Sequence, residues 1–501
     1  MKKIKLGQLK MGAIISYFSM AFSIVAGLVY TPWMVDKIGK SDYGLYTLAN
    51  SLIMIFVMDF GLGSAVSRFV AKYRAEGRKE DISNILGVIY KLYIIIDVAI
   101  LAVLVGVYLF VDQIYDGLTP SELETFRTLY IIVAGYHIAA FPFMPLNGIL
   151  NAYEKFIQLK ICDLVYKVFS VVSVVIVLLF SESVIAVITA NVLTHMAVVV
   201  LKFIFVKVYV PEKVNMRASG RNIYKTLFSF TLWTTIIAIM QRFTHSFAPS
   251  VLGMTSSSHE IALYAPAVTL EGYFFTFGQA INGLFLPRVS KFIAEKQEDK
   301  ILQLMIKVGR YQAIVLGWIF IGFACVGSDF MTLWMGKDFK DTYYLALIIL
   351  LPTLISSTQQ IAKTTVIAKK LINYQALCMT VTGVLGLGAS YLMSKHIGAM
   401  GVCIGTAATS IANITFMNFV YKKKAGINVF EFYKKCYLML VPCYGITIAA
   451  GLLIAKYVPL SGWVGLGAKA GLITLVFAVI TLVFYTTKAE KKMILKKLKL
   501  R

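Results

Sequence analysis

The segment FVMDFGLGSAVSRFVAKY, residues 56–73, carries an acid inside an apolar run. Asp59 is followed by Gly61 and Gly63, and Arg68 arrives nine residues later, where the polarity changes. The rest of the chain identifies the solvent this segment faces. Its 501 residues are 58% hydrophobic and 15% charged, with mean hydropathy +0.76, against about 45–50% and about 25% in soluble proteins. The chain is therefore read as an integral membrane protein. Its net charge of +24 does not indicate nucleic acid, because the bases punctuate apolar runs instead of clustering on a soluble fold. The six cysteines show no CxxC pair and are read as packing residues.

A helix crosses the hydrocarbon layer with about 20 apolar residues. Fourteen such runs are present, at approximately 11–33, 45–66, 83–109, 127–149, 161–180, 183–206, 223–250, 260–285, 303–327, 341–362, 372–394, 397–420, 433–455 and 463–487. Pro142, Pro145, Pro249 and Pro266 fall inside runs and are tolerated as kinks. The apolar run after MKKIKLGQLK is too long for the core of a signal peptide and is taken as the first span. Alternate connections, with the two termini, hold 39 of the 49 Lys and Arg, and the opposite connections hold 8. A miscounted span would invert every later loop, so this split predicts an even number of spans and cytoplasmic termini. The longest outer connection, 111–126, is acidic and has room for one short helix.

A weak internal repeat relates YGLYTLANSL (43–52) to IALYAPAVTL (261–270), pairing Tyr46 with Tyr264 and, further on, Arg68 with Arg288. It predicts two parallel six-helix lobes, residues 1–210 and 211–425, around a central cleft. Residues 426–501 then hold helices 13 and 14 and a basic cytoplasmic tail.

No Walker loop, HExxH or dinucleotide fingerprint occurs, and the histidine spacing forms no metal-site motif, so neither an enzyme nor a metal or other cofactor is expected. The chemistry is sought in ionisable residues within spans, which are costly in lipid. These are Asp59, Asp97, His137, His195, Arg242, His245 and Glu271, with Arg68 and Arg288 at the basic interface. Each has a functional and a structural reading. Arg68 and Arg288 either snorkel as topology bases or grip an anionic headgroup. Arg242 is a cavity cation or a partner of Glu271 or Asp59. The acids Asp59, Asp97 and Glu271 either bind a coupling cation or make interhelical hydrogen bonds.

The segment VDKIGKSDYGLYTLANSLIMIFVMDFGLGSAVSRFVAKY (35–73) resembles the first signature of bacterial polysaccharide flippases of the Wzx type, in the MOP superfamily. GILNAYEKF (148–156), YAPAVTLEGYFFTFGQAINGLFLPRVSKF (264–292), LWMGKDF (333–339) and IGAMGVCIGTAATSI (397–411) follow in the same order. The resemblance implies an all-α fold of about fourteen transmembrane helices, with two MOP/MATE-like lobes and two extra helices. It also implies alternating access that moves an undecaprenyl-diphosphate-linked oligosaccharide to the outer leaflet of the bacterial cytoplasmic membrane. Arg68, Arg242 and Arg288 would contact diphosphate or acidic sugar. Protons, sodium or the membrane potential would drive the cycle, with Asp59, Asp97 and Glu271 as coupling candidates. The expected partners are the lipid-linked oligosaccharide, membrane lipids, and polysaccharide polymerase and chain-length proteins. The alternatives are a multidrug or cation antiporter of the MATE type and a lipid II flippase. Helix 1 lacks the arginine typical of the latter.

Overall fold

A computed structural model of the protein describes residues 2–56, 60–218, 221–279 and 285–486. Among these residues all regular structure is helical. Lipid offers the backbone no hydrogen bonds, so an apolar run must satisfy its own, which a helix does. Nine helices are long and apolar enough to cross a membrane among the described residues, or ten if one bent pair counts as a span. Where described, the fourteen apolar runs are almost entirely helical, on single helices or on successive ones. The protein is a multi-pass membrane protein.

Contacts divide the chain into two compact units. The first, Met1–Ala262 with Tyr391–Gly398, begins with α1 (Lys2–Ile38), α2 (Lys40–Phe56), α3 (Leu62–Ala75) and α4 (Lys79–Leu109). It continues with α5 (Val111–Ile114), α6 (Pro120–Ala140), α7 (Pro145–Ala152), α8 (Phe156–Phe180), α9 (Val184–Tyr209), α10 (Arg221–Ser246) and α11 (Ala248–Thr255). The second, Leu263–Ser390 with Ala399–Arg501, takes most of α12 (Ser258–Gln279), then α13 (Leu286–Ala294), α14 (Glu298–Met335), α15 (Thr342–Thr358) and α16 (Gln360–Ala368). It ends with most of α17 (Ile372–Lys423), then α18 (Val429–Tyr437), α19 (Leu440–Tyr457) and α20 (Gly462–Ile480).

Several runs are broken helices. The run at 45–66 divides into α2 and α3, and Phe60 and Gly61 carry φ of 49° and 70° at the junction. Runs eleven and twelve share α17, interrupted at Ile397 and at Gly398, where φ is 54°. Only glycine suits that position, because a Cβ there would also lie 2.4 Å from a Glu260 carboxylate oxygen. The acidic connection holds the short α5, and Thr119 then starts α6 with a capping box. Its hydroxyl accepts from the Glu122 N–H at 3.4 Å while the Thr119 N–H donates to the Glu122 carboxylate at 2.9 Å.

The helices α3, α7, α13 and α16 end alike. Each closes on a left-handed residue: Gly77, Glu154, Lys296 and Lys370, with φ between 55° and 73°. The residue after each donates its N–H five residues back, Arg78 to Tyr73 at 2.9 Å, Lys155 to Leu150 at 2.9 Å, Gln297 to Phe292 at 2.8 Å and Leu371 to Val366 at 2.9 Å. This is the Schellman pattern, which pairs carbonyls a helix end leaves orphaned. The internal repeat is therefore present in the backbone of both units.

The caps also correct the repeat's register. Matching Gly77 to Lys296 offsets the units by 219 residues. It pairs Val70 with Val289, both 0% exposed. It also pairs the Lys72–Glu76 contact at 3.9 Å with the Lys291–Glu295 contact at 3.6 Å. Arg288 then corresponds to Phe69, not to Arg68. One residue along a helix is a turn of about 100°, so the two arginines do not occupy equivalent positions.

Candidate functional site

Of the three predicted acids, Asp59 lies outside the described residues. Asp97 on α4 is 9% exposed, and its Oδ1 has no hydrogen-bond partner. Glu271 on α12 accepts a hydrogen bond from the Thr353 hydroxyl of α15 at 2.8 Å. It is tied to a neighbouring helix in the manner of interhelical polar contacts in lipid. The two acids thus differ: one carboxylate is engaged, and the other has a buried oxygen with its lone pairs unused.

The predicted cations also differ. Arg68 is exposed on α3. Arg242 on α10 is half-buried, and its guanidinium reaches the Met54 sulfur of α2 at 4.0 Å. No ion pair joins it to an acid among the described residues. Arg288 on α13 stands with its guanidinium 5.6 Å from the centre of the Phe292 ring and lines a cavity of ≈ 390 Å³ between α13 and α14. The other polar groups on its wall are Lys300, Gln303, Lys307 and Tyr311, with Phe285 and Phe292 completing an aromatic side. No carboxylate lines it. In the sequence Lys300 and Lys307 are two among the bases of one basic connection, of the kind that sets topology and touches anionic lipid. The signal that could have found them is the spacing of Lys300, Gln303, Lys307 and Tyr311, which places all four on one face of a helix.

In the first unit, His137 on α6 and His195 on α9 flank Tyr136, with ring centres 4.8 and 5.3 Å away, and Tyr166 lies 4.0 Å from His195. They line a cavity of ≈ 210 Å³ that also includes Asp163 and Lys202. The side chain of His245 lies outside the described residues. No group of three or more His, Cys, Asp or Glu able to hold a metal occurs among the described residues. Other intramembrane polar groups bond one another. Asn191 donates to the Tyr46 hydroxyl at 2.9 Å and accepts from Ser170 at 2.8 Å. Gln359 donates to Asn418 at 2.9 Å and to Tyr433 at 2.7 Å.

The profile of a family described as "Polysaccharide biosynthesis protein" matches residues 10–280, more than half of the chain. The chain belongs to that family. Solved structures extend the likeness in fold. The lipid II flippase MurJ in an inward closed conformation aligns with a TM-score of 0.70 at 14% identity, covering 94% of this chain and 98% of that one. An inward-facing multidrug resistance MATE family transporter of the MOP superfamily aligns at 0.67 and 14% identity, covering 83% and 98%. A MOP superfamily transporter from Pyrococcus furiosus, described as having a binding pocket of reverse polarity, aligns at 0.51 and 15% identity, covering 82% and 96%. No curated protein matches the chain at a significant level. The family member described here has a MOP-type transporter fold.

Proposed function

We propose that the protein is a flippase that moves an undecaprenyl-diphosphate-linked oligosaccharide from the cytoplasmic to the outer leaflet by alternating access, for surface polysaccharide assembly. The observation that carries this reading is the family match joined to a fold shared with a lipid flippase. A diphosphate and a glycan crossing about 30 Å of hydrocarbon need a hydrated basic path, and Arg288 and Arg242 are cations without a carboxylate partner among the described residues. The protein sits in the bacterial inner membrane with both termini cytoplasmic, as the distribution of bases favours. Asp97, with its unused buried oxygen, and Glu271 are the candidates for proton or sodium coupling, and the membrane potential is the other candidate drive. Polysaccharide polymerase and chain-length proteins are its candidate partners.

The test is translocation of a fluorescent undecaprenyl-diphosphate oligosaccharide in proteoliposomes. Arg288→Ala and Arg242→Ala should each slow it about tenfold, the loss of roughly 1.4 kcal/mol of cargo interaction, at normal membrane levels. Wild-type rates in both variants would sink this assignment. A second reading, lipid II transport, is favoured by the fuller coverage of the lipid II flippase relative to the MATE transporter. Lipid II offered in the same vesicles decides between them, and dye efflux tests the multidrug alternative.

A further inference from the structure

We infer that the cleft between α13 and α14 is a binding site for a phosphate-bearing membrane lipid, with the headgroup at Arg288, Lys300 and Lys307 and the chain along the exposed face of α14. Lys300 and Lys307 lie two turns apart on that face, about 10 Å along the axis. Arg288 faces the same cavity from α13. None of the three makes an ion pair among the described residues, whereas nearby Lys291 and Lys369 are matched by Glu295 and Glu298. A cavity lined by three cations and no carboxylate is complementary to an anion.

A soluble phosphate would need nothing more, but the face continues. Tyr311, Val315 and Trp318, which follow at three- and four-residue intervals, are 41%, 49% and 41% exposed. Two aromatics flanking an exposed apolar strip, next to a basic pocket, suit an amphiphile with its head at the interface and its chain along the helix. The first unit lacks this arrangement in the corresponding frame. At an offset of 219, Lys300 corresponds to Asp81, which Arg78 binds at 2.6 Å. Lys307 corresponds to Val88, 0% exposed, and Arg288 to Phe69. The site is thus a property of side chains particular to the second unit, not of the repeated backbone.

Two lipids carry this chemistry: a resident anionic phospholipid, and the diphosphate-linked cargo, whose involvement rests on the function proposed above. The test uses the full-length protein in detergent, equilibrated with phosphatidylglycerol, phosphatidylcholine or undecaprenyl diphosphate and examined by native mass spectrometry, alongside the translocation assay. The variant is Lys300→Gln/Lys307→Gln, whose side chains are exposed and whose folding is checked by gel filtration. Lys422→Gln/Lys423→Gln removes the same charge elsewhere. For a resident lipid, phosphatidylglycerol retention falls about tenfold in the first variant only, phosphatidylcholine is unaffected, and added salt weakens binding. For cargo, undecaprenyl diphosphate retention and translocation fall while phosphatidylglycerol retention holds. Equal retention of both anionic lipids by wild type and variant, or an equal loss in the control variant, overturns the site. If the wild type moves no glycan yet phosphatidylglycerol retention still depends on Lys300 and Lys307, the flippase reading fails and the site stands.

Discussion

The helix, cap and helix of residues 62–109 in the first unit and 286–335 in the second are one backbone design with two surfaces. Both place a fully buried valine, Val70 or Val289, at the same distance before the cap and close the short helix on a left-handed residue. Both carry a Lys–Glu pair at four-residue spacing just before the cap. The first unit then closes its outer face with Arg78 bound to Asp81, a hydrogen bond that, with a second to Glu76, raises the Arg78 pKa above its ordinary value. The second leaves three cations open around a cavity. Backbone satisfaction is demanded everywhere in lipid, whereas side chains are free to specialise, so the repeat survives in its caps and diverges in surface chemistry.

The largest expected effect breaks the symmetry of packing. Gly148 on α7 meets α3 so closely that a Cβ would lie 2.5 Å from the Gly63 carbonyl oxygen and 2.8 Å from Val66 Cβ. Its counterpart between α13 and α16, by the Glu154 and Lys370 caps, is Thr364. Gly148→Val should cost at least about 1–3 kcal/mol by overpacking, seen as loss of monodisperse protein and a lower Tm, and Thr364→Val should be tolerated. Equal tolerance would mean that the two helix pairs pack alike after all.

Next in size is a test of chemical divergence. Arg288→Ala should lower translocation about tenfold, and adding Phe69→Arg, which places a cation at the corresponding point of the first unit, should restore none of it. Rescue would show that the units are interchangeable in function.

A smaller effect compares two ties at the α7 and α16 caps. Tyr153 donates its hydroxyl hydrogen to the Glu212 carboxylate, and Lys369 binds Glu298 and the Ala425 carbonyl, the latter at 2.8 Å. Burial, then the hydrogen bond to Glu212, push the Tyr153 hydroxyl above its ordinary pKa. It stays protonated at neutral pH, so the bond persists there. Tyr153→Phe and Lys369→Met should each cost about 1 kcal/mol, and the tyrosine's cost should be constant from pH 6 to 8 in thermal melts. The smallest effect is that of Lys72→Met and Lys291→Met, exposed pairs worth under about 0.5 kcal/mol each. Their melts should match, and a marked difference would weaken the shared register.

Much of this architecture is legible in the amino-acid order. Where described, the apolar runs are almost entirely helical, and the acidic connection 111–126 does hold one short helix. The caps were hidden because three of the four, Glu154, Lys296 and Lys370, use no glycine, so the usual stop signal is missing. Without them the repeat is anchored on Tyr46 with Tyr264, 218 apart, and Arg68 with Arg288, 220 apart, each one residue from the 219 that the Gly77 and Lys296 caps set. Lys300 and Lys307 were visible as bases, yet nothing local separates a lysine that sets topology from one that lines a cavity.

By itself the sequence determined the solvent, the class of structure and the rough span of each helix. Length and hydrophobicity are local quantities, and lipid allows a run of that kind little besides a helix. Tertiary structure decided where the runs break, how the two units register and which cations share a wall. Those outcomes depend on left-handed caps and on packing between helices distant in sequence, and each residue of offset turns the face by about 100°. That rotation separates Arg68, on its exposed helix face, from Arg288, which closes a basic cavity with Lys300 and Lys307.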